Sequence, residues 1–149
     1  MTAFTVTRTV AAPVDVTWAR VSAFADHGEA IPLTRMRLDP GEPTVGWEFT
    51  GRTGVGPVEI ADTMIVTAFD PPPPGGAGRF RIVKIGRWLR GWAEVVVEPT
   101  DSGGSRVHWT EDLGPRIDPF PRLSGRVSAW AGQRLFAHTL DRLLLPRGE

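Results

Sequence analysis

Apolar and β-branched residues alternate from Phe4 to Val10, the period of two that marks a strand with one buried face. Ala11-Ala12-Pro13 closes the run, and Pro13 suits a first helical turn because no N–H is missed there. Val14, Trp18 and Val21 then recur at helical spacing and predict a short helix. Phe24–Ala30 predicts a second, ended before Pro32. Past Pro32 the period returns to two. Strands are expected at Thr34–Leu38, Gly46–Arg52, Pro57–Phe69, Phe80–Ile85, Trp88–Glu98 and Arg106–Glu111. Asp70, Pro71–Pro74, Gly75 and Gly76 make one turn, and Thr100-Asp101-Ser102-Gly103-Gly104 joins the last two strands as a hairpin. From Arg122 to Leu145 there is no proline, and Leu123, Val127, Trp130, Ala137, Leu140 and Leu144 fall on one helical stripe.

This order predicts an α+β domain: an antiparallel sheet of about seven strands, two short helices after the first strand, and a long C-terminal helix. The helix would be about 36 Å long. The strand from Pro57 to Phe69 would reach about 40 Å, so one lies across the other. A single helix covers only part of such a sheet. The sheet must curl round it, and a cavity between them is the expected ligand site. With 149 residues and no internal repeat, one domain over residues 1–149 is expected.

Composition narrows the function. The chain has 17 basic and 17 acidic residues, a balance that argues against nucleic acid as a partner. It has no cysteine, which excludes disulfides, thiolate metal ligands and a cysteine nucleophile. Three histidines (His27, His108, His138) show no metal-ligand spacing, so neither a metal nor a cofactor is expected. There is neither a signal-like apolar run at the start nor a stretch long enough to span a bilayer, which points to a cytoplasmic protein. Lys84 is the only lysine; the other 16 basic residues are arginine.

Ala12-Pro13-Val14 leading to Val16-Thr17-Trp18 resembles the opening of the START-like (SRPBCC) superfamily, which has the helix-grip fold. Asp62 in a long strand ending Phe69-Asp70-Pro71-Pro72 is similar to that group's acidic strand and turn. Gly103-Gly104-Ser105-Arg106-Val107-His108-Trp109 resembles its hairpin, with serine where threonine is usual, and Glu111-Asp112-Leu113-Gly114 is similar to the polyketide cyclase/dehydrase-like branch. The resemblance covers nearly the whole chain. It implies a helix-grip fold and a function within a range from lipid binders to aromatase/cyclases.

Residue patterns suggest what lines the cavity. Trp47 and Phe49 share a parity, as do Trp109 and Glu111, while Met64, Phe80 and Trp130 fall on apolar faces, so all seven are candidate ligand contacts. Glu111 is expected at a strand end, at the pocket mouth or in solvent. Asp62 lies between Ile60 and Met64 on the parity assigned to the interior, where a carboxylate needs a partner or shifts its pKa. Arg134, four residues after Trp130, is the expected partner, and His138 borders the same stripe. Asp62, Arg134 and His138 are therefore the candidates for proton transfer or enolate stabilisation. Gly51–Gly56 is glycine-rich but joins strand to strand, so it does not read as a phosphate loop. The leading expectation is binding of a hydrophobic small molecule, lipid-like or aromatic polyketide-like. A cyclase-like enzyme is the alternative, and an interaction module using outer-face Trp88 and Trp92 is a third. The oligomeric state is left open.

Overall fold

A computed structural model describes residues 3–116 and 124–145; within it, the side chains of residues 124–132 and 135 are left out of the description. The chain runs β1 (Ala3–Val10), α1 (Val14–Val21), α2 (Phe24–Ala30), β2 (Thr34–Leu38), β3 (Glu48–Val55), β4 (Val58–Asp70), β5 (Gly78–Lys84), β6 (Leu89–Pro99), β7 (Ser105–Pro115) and α3 (Ser124–Leu144). All seven strands form one antiparallel sheet in the order β1-β7-β6-β5-β4-β3-β2. This is the architecture that the alternating and helical periods predict.

The two short helices owe their position to amphipathic spacing. α1 buries Thr17, Trp18 and Val21, and α2 buries Phe24, His27 and Ala30. Ser105 at the start of β7 anchors α1: its Oγ lies 2.7 Å from Thr17 Oγ1 and 2.8 Å from the Ala12 carbonyl oxygen. α3 packs against β1, β7, α1 and α2, with Thr139, Leu140, Leu143 and Leu144 buried.

Aromatic rings fill much of the space that the curled sheet encloses. Phe24 stacks on Phe49 at 4.7 Å and meets Phe80 edge-on at 5.1 Å, with Trp47 at 5.7 Å. Trp18 continues the row between Phe80 at 5.7 Å and Phe69 at 5.5 Å. Each such ring contributes about 1.5–3 kcal/mol by burial, and each well-placed pair adds about 0.5–1.5 kcal/mol.

Three strand details differ from the sequence reading. β4 carries a register shift between Val66 and Ala68, so parity slips there and Phe69, not Ala68, meets Phe80. Such a bulge adds local twist and helps the sheet curl. At its other end β4 runs six residues beyond the point where Met64 meets Lys84, the last residue of β5, leaving Val58 and Ile60 exposed. β7 continues to Pro115, well past Glu111, because it stays paired to β1 (Ala3 with Asp112) and to β6 (Leu89 with Pro115).

Gly91 on β6 shows how tightly this region is built. Its φ is +133°, and a Cβ there would fall 1.8 Å from the Asp112 carbonyl oxygen. Gly91→Ala should therefore destabilise the fold by about 1–3 kcal/mol, read as a lowered denaturant midpoint. A stability equal to that of the parent would show that the β6–β7 backbone is looser than described.

Candidate functional site

The remaining space is a cavity of about 70 Å³ between α2, α3 and the strands β2–β5 and β7. Its walls are apolar: Ile31, Met36, Phe49, Met64, Ile82, Trp109 and Phe136. Gly51 lies opposite Asp62 in the β3–β4 register and leaves room for that carboxylate. An engineered cavity of about 150 Å³ accommodates benzene. At 70 Å³ the present one is about half that, and a larger guest must displace side chains. Met36, Met64 and Phe136 supply that adaptability, since methionine repacks with little strain.

An amine and two carboxyls meet on the sheet wall of this space. Lys84 Nζ is 2.5 Å from Asp62 Oδ2 and 3.7 Å from Glu111 Oε1. Only 4% of the Lys84 side chain and 2% of the Glu111 side chain are exposed, against 20% for Asp62. Met64 Sδ lies 3.6 Å from the ammonium, and the Trp109 indole N–H donates to Glu111 Oε2 at 3.1 Å. Asp62 Oδ1 is buried and has no hydrogen-bond partner among the described residues.

The sheet explains how β5 and β7 can share a charge cluster although β6 separates them. On β6, Gly91 pairs with Lys84 and Ala93 pairs with Glu111. Neither side chain is large enough to screen lysine from glutamate. Burial raises the Glu111 carboxyl from its ordinary 4.5 to about 7, with Asp62 adding to the rise; the Lys84 ammonium and the Trp109 N–H pull the other way. Among the described residues one cation faces two carboxyls, and these three groups are together neutral only when one carboxyl keeps its proton. Glu111 is the more deeply buried of the two.

His27 forms the helical wall. Its Nε2 lies 3.0 Å from the Val21 carbonyl oxygen, which can only accept, so the proton resides on Nε2 and Nδ1 is an acceptor. The ring sits 5.6 Å from Trp109, and burial lowers its pKa to about 4.

Among the residues singled out from sequence, Asp62, Phe49, Met64, Trp109 and Glu111 line the cavity. Glu111 is not at a mouth or in solvent; it sits within β7 on the buried face. Trp47 and Phe80 are buried one layer away, in the aromatic row beside Phe24. Arg134 and His138 do not lie on the buried stripe: both are exposed, on the helical face that also carries exposed Asp141 and Leu145. The partner that the structure gives Asp62 is Lys84. The Trp130 side chain lies outside the described residues. Trp88 is exposed, and Trp92 lies under the Arg81 guanidinium at 4.6 Å, on the outer face. His108 is also outside, 2.9 Å from Glu98.

Lys84 and His27 are the groups that the sequence reading missed, and both had a signal. Lys84 continues the inward parity of Phe80 and Ile82, and His27 follows Phe24 by three residues on the apolar face of α2.

A curled antiparallel sheet, a gripping C-terminal helix and an apolar cavity between them define the helix-grip (SRPBCC) class, built to hold hydrophobic ligands. Within it, the chain belongs to the family described as polyketide cyclase / dehydrase and lipid transport, whose profile matches residues 1–144. Among solved structures it is similar to TTHA0849 from Thermus thermophilus, with 13% identity, 95% of this chain and 93% of that one covered, and a TM-score of 0.74. It is also similar to the Zhui aromatase/cyclase from a Streptomyces species, with 18% identity, coverage of 95% and 90%, and a TM-score of 0.68. A third similar structure is SA2116 from Staphylococcus aureus, a protein of unknown function, with 8% identity, coverage of 95% and 90%, and a TM-score of 0.71. At these identities the likeness is one of fold. No curated protein sequence matches significantly.

Opposing pH dependences follow from His27 and Glu111. Folding holds His27 neutral, so its contribution is full above pH 6.5 and is lost as the pH falls towards about 4. Folding holds Glu111 protonated, so its contribution is full below pH 4.5 and is lost as the pH rises through about 7. Between pH 4.5 and 6.5 the two slopes cancel in part. Denaturant titrations across this range should show His27→Gln losing stability as pH rises and Glu111→Gln gaining it, each more steeply than the parent. Parallel profiles for all three would contradict the assigned protonation states.

Proposed function

We propose that the protein binds a small, mainly apolar molecule carrying one polar group, drawn from lipid-like or aromatic polyketide-like compounds. The supporting observation is the Asp62 Oδ1 atom, a buried acceptor without a partner among the described residues, on the wall of an apolar cavity. Leaving such an atom unpaired costs about 1–3 kcal/mol, which a ligand hydroxyl or N–H would recover. The apolar remainder of the ligand would lie against Phe49, Trp109 and the methionines, and its size would be accommodated by movement of Met36, Met64 and Phe136. Trp47 and Phe80 would act from behind, by holding the wall.

A second reading, a polyketide cyclase/dehydrase-like enzyme, is favoured by one observation of its own. Glu111, raised to about 7 and almost wholly buried, can give or take a proton near neutral pH. Asp62 would orient the ligand and Lys84 would balance charge developing on its oxygen. Arg134 and His138, being exposed, have no part in this version.

Binding is measured by thermal shift and by tryptophan fluorescence, which is clean because the chain has no tyrosine. A ligand at about 100 times its Kd adds about 2.7 kcal/mol. That raises Tm by about 5–11 °C in a chain of this size. Gly51→Val provides the matching loss. Its Cβ would meet Met36 Sδ at 3.5 Å and Thr34 Cγ2 at 3.6 Å, ordinary contacts, while the two further methyls would take up cavity space opposite Asp62. The expected result is a variant that still unfolds cooperatively, at a lower Tm, and whose Tm no longer shifts with ligand. Binding that survives Gly51→Val would move the site away from this cavity.

A further inference from the structure

The cation in the cavity is a lysine in a chain that otherwise uses only arginine. Sixteen of the 17 basic residues are arginine, and none of the described ones is buried; Lys84 is. The two side chains differ in one chemical respect that matters here. A guanidinium is never deprotonated in proteins, whereas an amine can lose its proton and become a nucleophile. A buried ion pair is also weak evidence of a stabilising role, because well-packed apolar residues often replace one without loss. Lys84, Asp62 and Glu111 together occupy a cavity wall where Ile82, Met64 and Phe49 show that apolar side chains fit.

We propose that Lys84 captures an aldehyde or ketone group of the bound molecule as an imine, with Glu111 and Asp62 moving the protons. The proposal rests on the reading that a ligand enters this cavity. The geometry supplies what the condensation needs. Glu111 Oε1 stands 3.7 Å from Nζ, close enough to take a proton directly once the side chains shift slightly, and Asp62 Oδ2 is in contact on the other side. The Asp62 carboxylate takes one proton from the ammonium. The freed lone pair forms a C–N bond to the carbonyl carbon, the Glu111 carboxyl gives its proton to the carbonyl oxygen, and the resulting Glu111 carboxylate removes one N–H proton to leave the carbinolamine. Asp62 then passes its proton to the carbinolamine oxygen, and the C–O bond breaks with loss of water. The sum is ammonium plus carbonyl giving protonated imine plus water, with charge conserved and no oxidant or reductant consumed. A β-hydroxy ketone held this way would have an acidified α-C–H, the requirement for losing its β-hydroxyl as water. Asp62 Oδ1, which has no partner among the described residues, would then receive the ligand's hydroxyl.

The size of the cavity selects the probe. Propanal has few enough heavy atoms to enter 70 Å³ without large rearrangement. The protein is incubated with propanal and sodium cyanoborohydride at neutral pH, and the adducts are located by peptide mass mapping. Because the chain has one lysine, the competing amine is the N-terminus, which serves as the internal reference. General acid–base assistance contributes about 10²–10⁴-fold. Propylation of Lys84 should therefore be about 100-fold faster in the folded protein than in urea, relative to the N-terminus. Glu111→Gln should lose most of that advantage while the N-terminal rate stays the same.

Lys84 that is modified in urea but not in the folded protein, or no faster when folded, overturns the proposal and leaves a structural ion pair. If the ligand panel still raises Tm in that case, the binding function stands without the amine chemistry. Fast trapping of Lys84 with a flat ligand panel would instead retain the amine site and discard the proposed ligand classes.

Discussion

One ammonium between two carboxyls, enclosed in an apolar fold, is the constraint around which this structure is arranged. Asp62, Lys84 and Glu111 come from β4, β5 and β7, so their meeting fixes the register of half the sheet at one level. The aromatic row from Phe69 to Phe49 closes one side of the enclosed volume, and α3 with Phe136 closes another. What remains is small and mainly apolar, with the amine and the two carboxyls meeting on its sheet wall. Water is a poor competitor in such a space, so charge interactions there are stronger than at a surface. The ion pairs on the outer face, such as Arg79 with Glu94 at 2.8 Å, lie in solvent and contribute little by comparison.

The architecture was legible in the sequence because each element advertised its period. Threonine and valine alternation gave β1, the Trp18 and Phe24 spacings gave α1 and α2, and the proline-free C-terminal stretch gave α3. Parity was less dependable where geometry is non-local. The slip between Val66 and Ala68 has no mark in the sequence, and the exposure of Val58 and Ile60 depends on where β5 ends. The reach of β7 past Glu111 depends on partners far along the chain, which is why Glu111 is buried rather than peripheral.

The site was legible in part for the same reason. Asp62, Phe49, Met64 and Trp109 are inward by simple alternation. An arginine at an apolar stripe makes Arg134 conspicuous as a partner for Asp62, yet Arg134 is exposed on a helix whose buried face carries Leu140 and Leu143. A lone lysine two places beyond Ile82 carries no motif of its own. Its neighbour across the sheet, 22 residues earlier in the chain, becomes visible only when β4 and β5 are paired.

Gly91 and Ala93 carry a consequence beyond the room they provide. They act as a gap in the middle strand of three, so that residues two strands apart can touch. In relatives of this chain, the identities at positions 84 and 111 should then be tied to side-chain volume at 93 more than to their direct sheet neighbours. A larger residue at 93 would separate amine from carboxyl and relax selection on both. The triad thus depends on a silent member, one that has no charge and makes no hydrogen bond through its side chain.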